Sequence, residues 1–276
     1  MTNPKRHHYV PRFVLENFVD KSGKLWVRRV SNDAVWSGAP EDVYVERHRY
    51  SLIDENGKRD AALEKTYAVL EGATKPIIDK LLAAARSNES PQLSSAEKAV
   101  WDEFLYHQMK RVPAVTEKLA ERKSWEERLE GVISKLLAQG LSVDDATLAE
   151  IRSKESLARI KKNAIVSALG ADSPLIRMLL GTSSLEVGIA PRGEAFVIGS
   201  RPIAGSGAGL QSAVDGSPTM WFPIASDVAV RPIFGCASKA AILTSSAIAQ
   251  INGVSLRQSD FLAGHSKELV KSIRKT

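Results

Sequence analysis

The chain has 276 residues, 38 Lys and Arg against 32 Asp and Glu, 43% hydrophobic and 25% charged residues, and one cysteine. These are ordinary globular values, and they exclude a disordered chain, a collagen-like fibre and a disulfide scaffold. The net charge of +6 and sequence pI of about 9.3 favour acidic partners such as nucleic acid, although the cations fall in short pairs such as Lys5-Arg6 and Lys110-Arg111 rather than in a basic tail.

Residues 1–58 hold three of the five histidines, two of the five Trp and three of the five Tyr. Pro11 suits a first helical turn, with Phe13, Leu15 and Phe18 as the apolar side. Asp20-Lys-Ser-Gly23 is a turn signal. Residues 25–30 and 34–36 flank Ser31-Asn-Asp33 and predict a β-hairpin. Residues 48–53 predict a further strand, closed by Asp54-Glu-Asn-Gly57.

Residues 59–182 carry helical periodicity. Leu63, Tyr67, Leu70, Thr74, Ile77 and Leu81 alternate steps of four and three, with Pro76 expected to kink the helix. Ser94 with Glu97 is a capping-box signature ahead of Val100, Trp101, Phe104, Leu105 and Gln108 on one face. Pro113 interrupts, a stretch through Trp125 and Ile133 follows, and Gly140 stops it as a helix C-cap. Asp144 or Asp145 caps one helix carrying Leu148, Ile151, Leu157, Ile160 and Val166, and Ser173-Pro174 starts another.

Charge thins after that, with 15 charged residues in 184–276 against 55 before, and ten of the 18 glycines lie there. Residues 185–189 and 195–198 predict a strand pair around Pro191-Arg-Gly193. Residues 205–216 predict a flexible loop, 221–224, 228–230 and 240–243 predict strands, Ser245 or Ser246 a helix cap, and Ser266 the cap of a last helix. The expected fold is α+β. Strands from the N- and C-terminal parts share a small sheet, with the central helical region inserted in one interleaved domain over 1–276.

Candidate chemistry concentrates in the first two zones. His7 and His8 are imidazoles suited to acid–base work or metal binding, and adjacency on an extended chain sends at most one of them into a site. The alternative is an N-terminal arm packed by Tyr9 and Phe13. Glu64 and Glu71 lie two helical turns apart on one face. Gln108 and Arg111 follow on a second helix, either as a phosphate or carboxylate clamp or as a buried Gln–Arg–Glu network. Cys236 reads as a small buried hydrophobe. There is no P-loop, no Gly-x-Ser-x-Gly, no His-Glu-x-x-His and no dinucleotide spacing, and one cysteine excludes a Cys-rich zinc site. The polar N-terminus lacks a secretory h-region and no run of about 18 apolar residues occurs, so a cytoplasmic location without a membrane partner is expected.

His8-Tyr-Val-Pro-Arg-Phe-Val-Leu-Glu-Asn-Phe18 resembles the opening signature of a bacterial family, His-Tyr-Val-Pro-x-Phe-x-Leu-x-x-Phe, whose activity is not established. The likeness continues through the strand beginning Gly23-Lys-Leu-Trp, Arg49-Tyr50, Glu64, Glu71, Gln108-x-x-Arg111-x-Pro113, Phe222-Pro-Ile and Asn252. The family's Thr-Ser-Asp-x-Pro turn is replaced by Ile198-Gly-Ser-Arg-Pro202, with Ser200 where the acid stands, which implies an altered site if that acid is catalytic.

Together these features predict a hydrolase acting on nucleic acid, with His8, Glu71, Gln108 and Arg111 as the catalytic set and a divalent metal as an optional cofactor. The alternative is a non-enzymatic nucleic-acid-binding or regulatory module in which the same residues form a structural polar network.

Overall fold

The structure is a computed structural model that describes residues 5–113, 115–117, 124–205, 220–233 and 240–274. Cys236, the glycine-rich loop beyond Gly205 and Lys275 lie outside the described residues.

The chain is α+β. Strand β1 (Arg6–His8) pairs antiparallel with β4 (Val45–Arg47). Between them come α1 (Arg12–Leu15), a 3-10 turn over Glu16–Phe18, and the hairpin of β2 (Leu25–Arg29) and β3 (Val35–Gly38). The hairpin turn works because Asp33 takes a left-handed φ of 58°. Two strands from the last third of the chain then complete its sheet, in the order β3-β2-β13-β8, with β8 at Ile198–Gly199 and β13 at Phe261–Gly264. The shared sheet is thus as expected, but β13, which joins its halves, was not legible in the sequence. A four-residue apolar run has no periodicity to read.

A second sheet runs β12-β7-β11-β10-β9, from Ala241–Ile242, Ser184–Ile189, Val228–Ile233, Met220–Pro223 and Ala204–Gly205 respectively. The predicted pairing of 185–189 with 195–198 is therefore wrong, since these segments enter different sheets. The reason is Asn252. Its side chain accepts the Val197 N–H at 3.0 Å and donates to the Ala195 carbonyl at 2.9 Å, so it stands in for a partner strand. Residues 48–53 also fail as a strand. His48 has φ of 54°, and β5 keeps only Leu52–Ile53, paired with β6 (Arg59–Asp60) across the Asp54–Gly57 turn.

Helix α2 (Ala62–Arg86) runs unbroken through Pro76 and buries Tyr67, Thr74, Ile77, Ile78, Leu81, Leu82 and Ala85. Helix α3 (Ser95–Lys110) starts at the expected capping box and buries Trp101, Phe104, Leu105 and Gln108. The two helices pack together, and Trp101 and Phe104 meet Phe222 of the second sheet at centroid distances of 6.3 and 6.1 Å. The N-terminal segment closes this core: Asn17 donates to the Ile224 carbonyl and accepts the Ser226 N–H on its own carbonyl.

Helix α4 (Trp125–Ala138) ends before Gly140, whose φ is 86°. The single helix expected after Asp144 is two, α5 (Asp145–Ile151) and α6 (Lys154–Gly170), because Ser153 accepts the Ser156 N–H and starts a new helix. Helix α7 (Pro174–Thr182) follows. Against the expectation of no such run, Lys154–Thr182 is long and apolar enough to cross a membrane by length and composition alone. It is broken at residues 171–173, where Asp172 pairs with Arg177. Helix α8 (Ser245–Gln258) is capped by Thr244 rather than by Ser245 or Ser246, and α9 (Lys267–Ser272) by Ser266 as expected.

Candidate functional site

Strand alternation splits the histidine pair as expected, but with the opposite member inward. His7 is fully buried and His8 half-buried. The Tyr50 N–H donates to His7 Nδ1 at 3.0 Å, and the His7 ring stacks on Tyr50 at 5.5 Å. That nitrogen is therefore an acceptor, and Glu64 Oε2 at 3.8 Å is its neighbour rather than a proton-sharing partner. His8 Nε2–H donates to the Pro40 carbonyl at 3.3 Å, which leaves Nδ1 unprotonated in the neutral ring. Burial lowers the His8 pKa, opposed by Pro40 and the Glu71 carboxylate and reinforced by Arg6 and Arg111. His8 thus lies within the field of the Glu71–Arg111 pair.

Glu64, Tyr67 and Glu71 occupy steps of three and four on α2, so they form one stripe. The side chains of Glu64 and Glu71 are 20% and 25% exposed, enough for solvent or a ligand to reach both. Arg111, just past α3, is 2% exposed. Its Nη2 forms an ion pair with Glu71 Oε1 at 2.7 Å. Its guanidinium sits 5.2 Å from the centre of the Tyr67 ring. Burial disfavours the Arg111 charge, yet Glu71, Tyr50 and Tyr67 outweigh it and raise its pKa.

Gln108 and Arg111 converge on one backbone atom. Gln108 Nε2 donates to the Tyr9 carbonyl at 2.7 Å and Arg111 Nε donates to the same oxygen at 3.1 Å. Tyr9 is itself held by its N–H on the Tyr44 carbonyl, at a residue with left-handed φ of 56°. Arg49, also buried, donates from Nε to the Arg111 carbonyl at 3.1 Å and pairs through Nη1 with Glu46 at 2.7 Å. Of the four expected residues, Arg111 is thus joined to Glu71 by an ion pair and to Gln108 through the Tyr9 carbonyl, while His8 adjoins them only as the strand neighbour of Tyr9, within reach of the Glu71 and Arg111 charges. His7, Tyr67 and Arg49 join them. Tyr67 was legible from the Glu64–Glu71 spacing, which places it between two acids. His7 and Arg49 were not, because their inward turn depends on pairing with segments distant in sequence.

Electrostatics set the acids apart. Burial raises the Glu64 pKa to about 7, aided by the Glu71 charge and opposed by Arg111. Glu64 is thus a proton donor and acceptor near neutral pH. Two buried polar atoms beside the guanidinium, Tyr67 Oη and Gln108 Oε1, have no hydrogen-bond partner among the described residues and could meet a bound group or water. Among the described residues, no group of three or more His, Cys, Asp or Glu is placed to hold a metal ion.

His107 departs from this cluster. Its Nε2 is 2.8 Å from Glu103, which also pairs with Arg177 of α7. Burial lowers the His107 pKa to about 4, with Lys110 and Arg111 acting the same way, so at neutral pH Nε2–H donates to the carboxylate and no ion pair exists. Ser200 and Asn252, singled out by resemblance, both serve the backbone. Ser200 Oγ accepts the N–H of Asp260 at 3.0 Å.

No curated protein and no solved structure matches this chain. The family described as Protein of unknown function (DUF4238) matches residues 6–165, a span that contains every member of the cluster from His7 to Arg111. The chain belongs to that family.

Proposed function

We propose that this chain is a hydrolase acting on nucleic acid, with Glu64 as proton carrier and Arg111 as the positive charge that faces the phosphate. The observation that carries this reading is the stripe of two accessible carboxylates, Glu64 and Glu71, against the buried guanidinium of Arg111. Hydrolysis of a phosphodiester needs a group that accepts a proton from water or gives one to the leaving oxygen. A carboxyl titrating near 7 does either. It also needs fixed positive charge where negative charge develops. Arg111 supplies it, with Glu71 exchanging its hold on the guanidinium for the incoming phosphate. His8, at the edge of the same field, orients the ester. The net charge of +6 favours a polyanionic substrate.

Purified protein, assayed against single- and double-stranded RNA and DNA with Mg²⁺ and with EDTA, is expected to cleave at least one of them. Glu71→Gln should reduce the rate by about 100-fold while leaving the circular dichroism spectrum unchanged. Absence of cleavage in every condition would remove the reading.

A second reading has its own observation. Gln108 and Arg111 both spend donors on the Tyr9 carbonyl, so the polar cluster also pins the N-terminal strand to the helices. In that reading the chain is a nucleic-acid-binding or regulatory module. Salt-sensitive binding without cleavage, unaltered in Glu71→Gln, would favour it.

A further inference from the structure

A cavity of about 280 Å³ lies between the second sheet and α8, outside residues 6–165 and separate from the Glu64 cluster. Its floor follows from strand register. Trp221 of β10 stands opposite Ala204 of β9, and Arg231 of β11 opposite Glu186 of β7. The pairing of Phe222 with Val230 extends to place Trp221 beside Arg231. Ala204, Trp221, Arg231 and Glu186 therefore form one row across four strands, on the face that α8 covers. The roof is Ala247, Gln250, Ile251 and Val254, one face of that helix.

Three features make this a shaped slot rather than a packing gap. The Arg231 guanidinium lies 4.7 Å over the Trp221 ring, so a planar cation is held on one face of the indole. Arg231 Nε donates to Glu186 Oε2 at 2.5 Å, and both side chains stay partly exposed, at 23% and 17%. Gly188, next on the same face of β7, leaves out a side chain where the ring lies. A Cβ there would stand 2.9 Å from Trp221 Cη2 and 2.7 Å from Leu243 Cδ1.

We propose that this slot binds a neutral planar heterocycle of nucleobase size. The Glu186–Arg231 pair cancels its own charge, so no described residue at the polar edge favours an ionic ligand. A fatty acid would need an unpaired cation for its carboxylate, and Arg231 is already paired. The edge instead offers guanidinium donors, a carboxylate acceptor and, at the exposed mouth, the Gln250 amide with both functions. That alternation matches the hydrogen-bonding edge of a base, and the planar guanidinium held on the indole matches its flat face. The volume admits a base with its sugar at the mouth.

The test is calorimetric titration of the full chain with adenosine, guanosine, cytidine and uridine, with octanoate as the acyl probe. At least one nucleoside is expected to bind saturably at one site per chain. Ala247→Phe, which fills the slot from the helix side, should weaken that binding at least about ten-fold. Gln250→Leu, at an exposed position, should weaken it about five-fold or change the preferred base. Binding of octanoate alone, binding of no nucleoside, or wild-type affinity in a folded Ala247→Phe would overturn the proposal. If Ala247→Phe does not fold, Gln250→Leu decides, and unchanged affinity and preference there would equally overturn it.

Discussion

Glu64 and Arg111 place opposite demands on one small volume. The folded-state pKa of Glu64 is about 7 against an ordinary 4.5, so the folded chain binds this proton more tightly than the unfolded chain does. Its stabilising contribution is complete below about pH 4.5 and is lost as pH rises through 7. The shift sets an upper bound of about 3 kcal/mol on that loss. Urea unfolding should therefore show wild type weakening between pH 5 and 8 more than Glu64→Gln does, with the variant the more stable of the two at pH 8. Arg111 works through contacts rather than titration. Arg111→Ala removes a Tyr9 bond and strands Glu71, and its expected cost in the same unfolding experiment is about 3 kcal/mol. A loss under about 1 kcal/mol would mean that the guanidinium does not hold the N-terminal strand.

At the scale of elements, the legible features were those written in a few adjacent residues. The capping box at Ser94 and Glu97, the turn glycines Gly23 and Gly140, and the apolar faces of α2 and α3 all appear as read. Features decided by partners distant in sequence were not legible. Residues 195–197 look like a strand and are held by the Asn252 side chain instead, and residues 261–264 look like nothing and form the central joint of a sheet. The site divides the same way. Helical spacing gave Glu64, Glu71, Gln108 and Arg111, while only the pairing of β1 with β4 decides that His7, and not His8, turns inward. Asn252→Ala should test the substitute strand. It leaves the Val197 N–H and Ala195 carbonyl without partners, at an expected cost of about 2 to 4 kcal/mol in thermal or urea unfolding. Wild-type stability in that variant would show that the segment is held otherwise.

Across the whole molecule, the two ends of the chain are stitched together. Arg28 donates to the carbonyls of Val270 and Ile273 at 2.9 and 2.8 Å, β13 lies between β2 and β8, and Asn17 reaches Ile224. The family match ends at residue 165, yet the sheet that begins within it is completed by residues beyond 197. We therefore propose that the chain folds as one interleaved domain, and a fragment of residues 1–182 should lack the cooperative unfolding transition of the full chain. The charge follows the same division. The polar cluster lies in the charge-rich first two-thirds, and the nucleobase-sized slot in the glycine-rich last third. We propose above all that Glu64 moves a proton during hydrolysis of a nucleic acid. The most direct measurement is the rate of cleavage of labelled RNA and DNA by wild type and Glu64→Gln across pH 5 to 9. The wild-type rate is expected to bend near pH 7, and the variant to be slowed by about 100-fold with no bend there. An equal rate and an equal pH profile in the two proteins, or no cleavage by wild type at any pH, would contradict it.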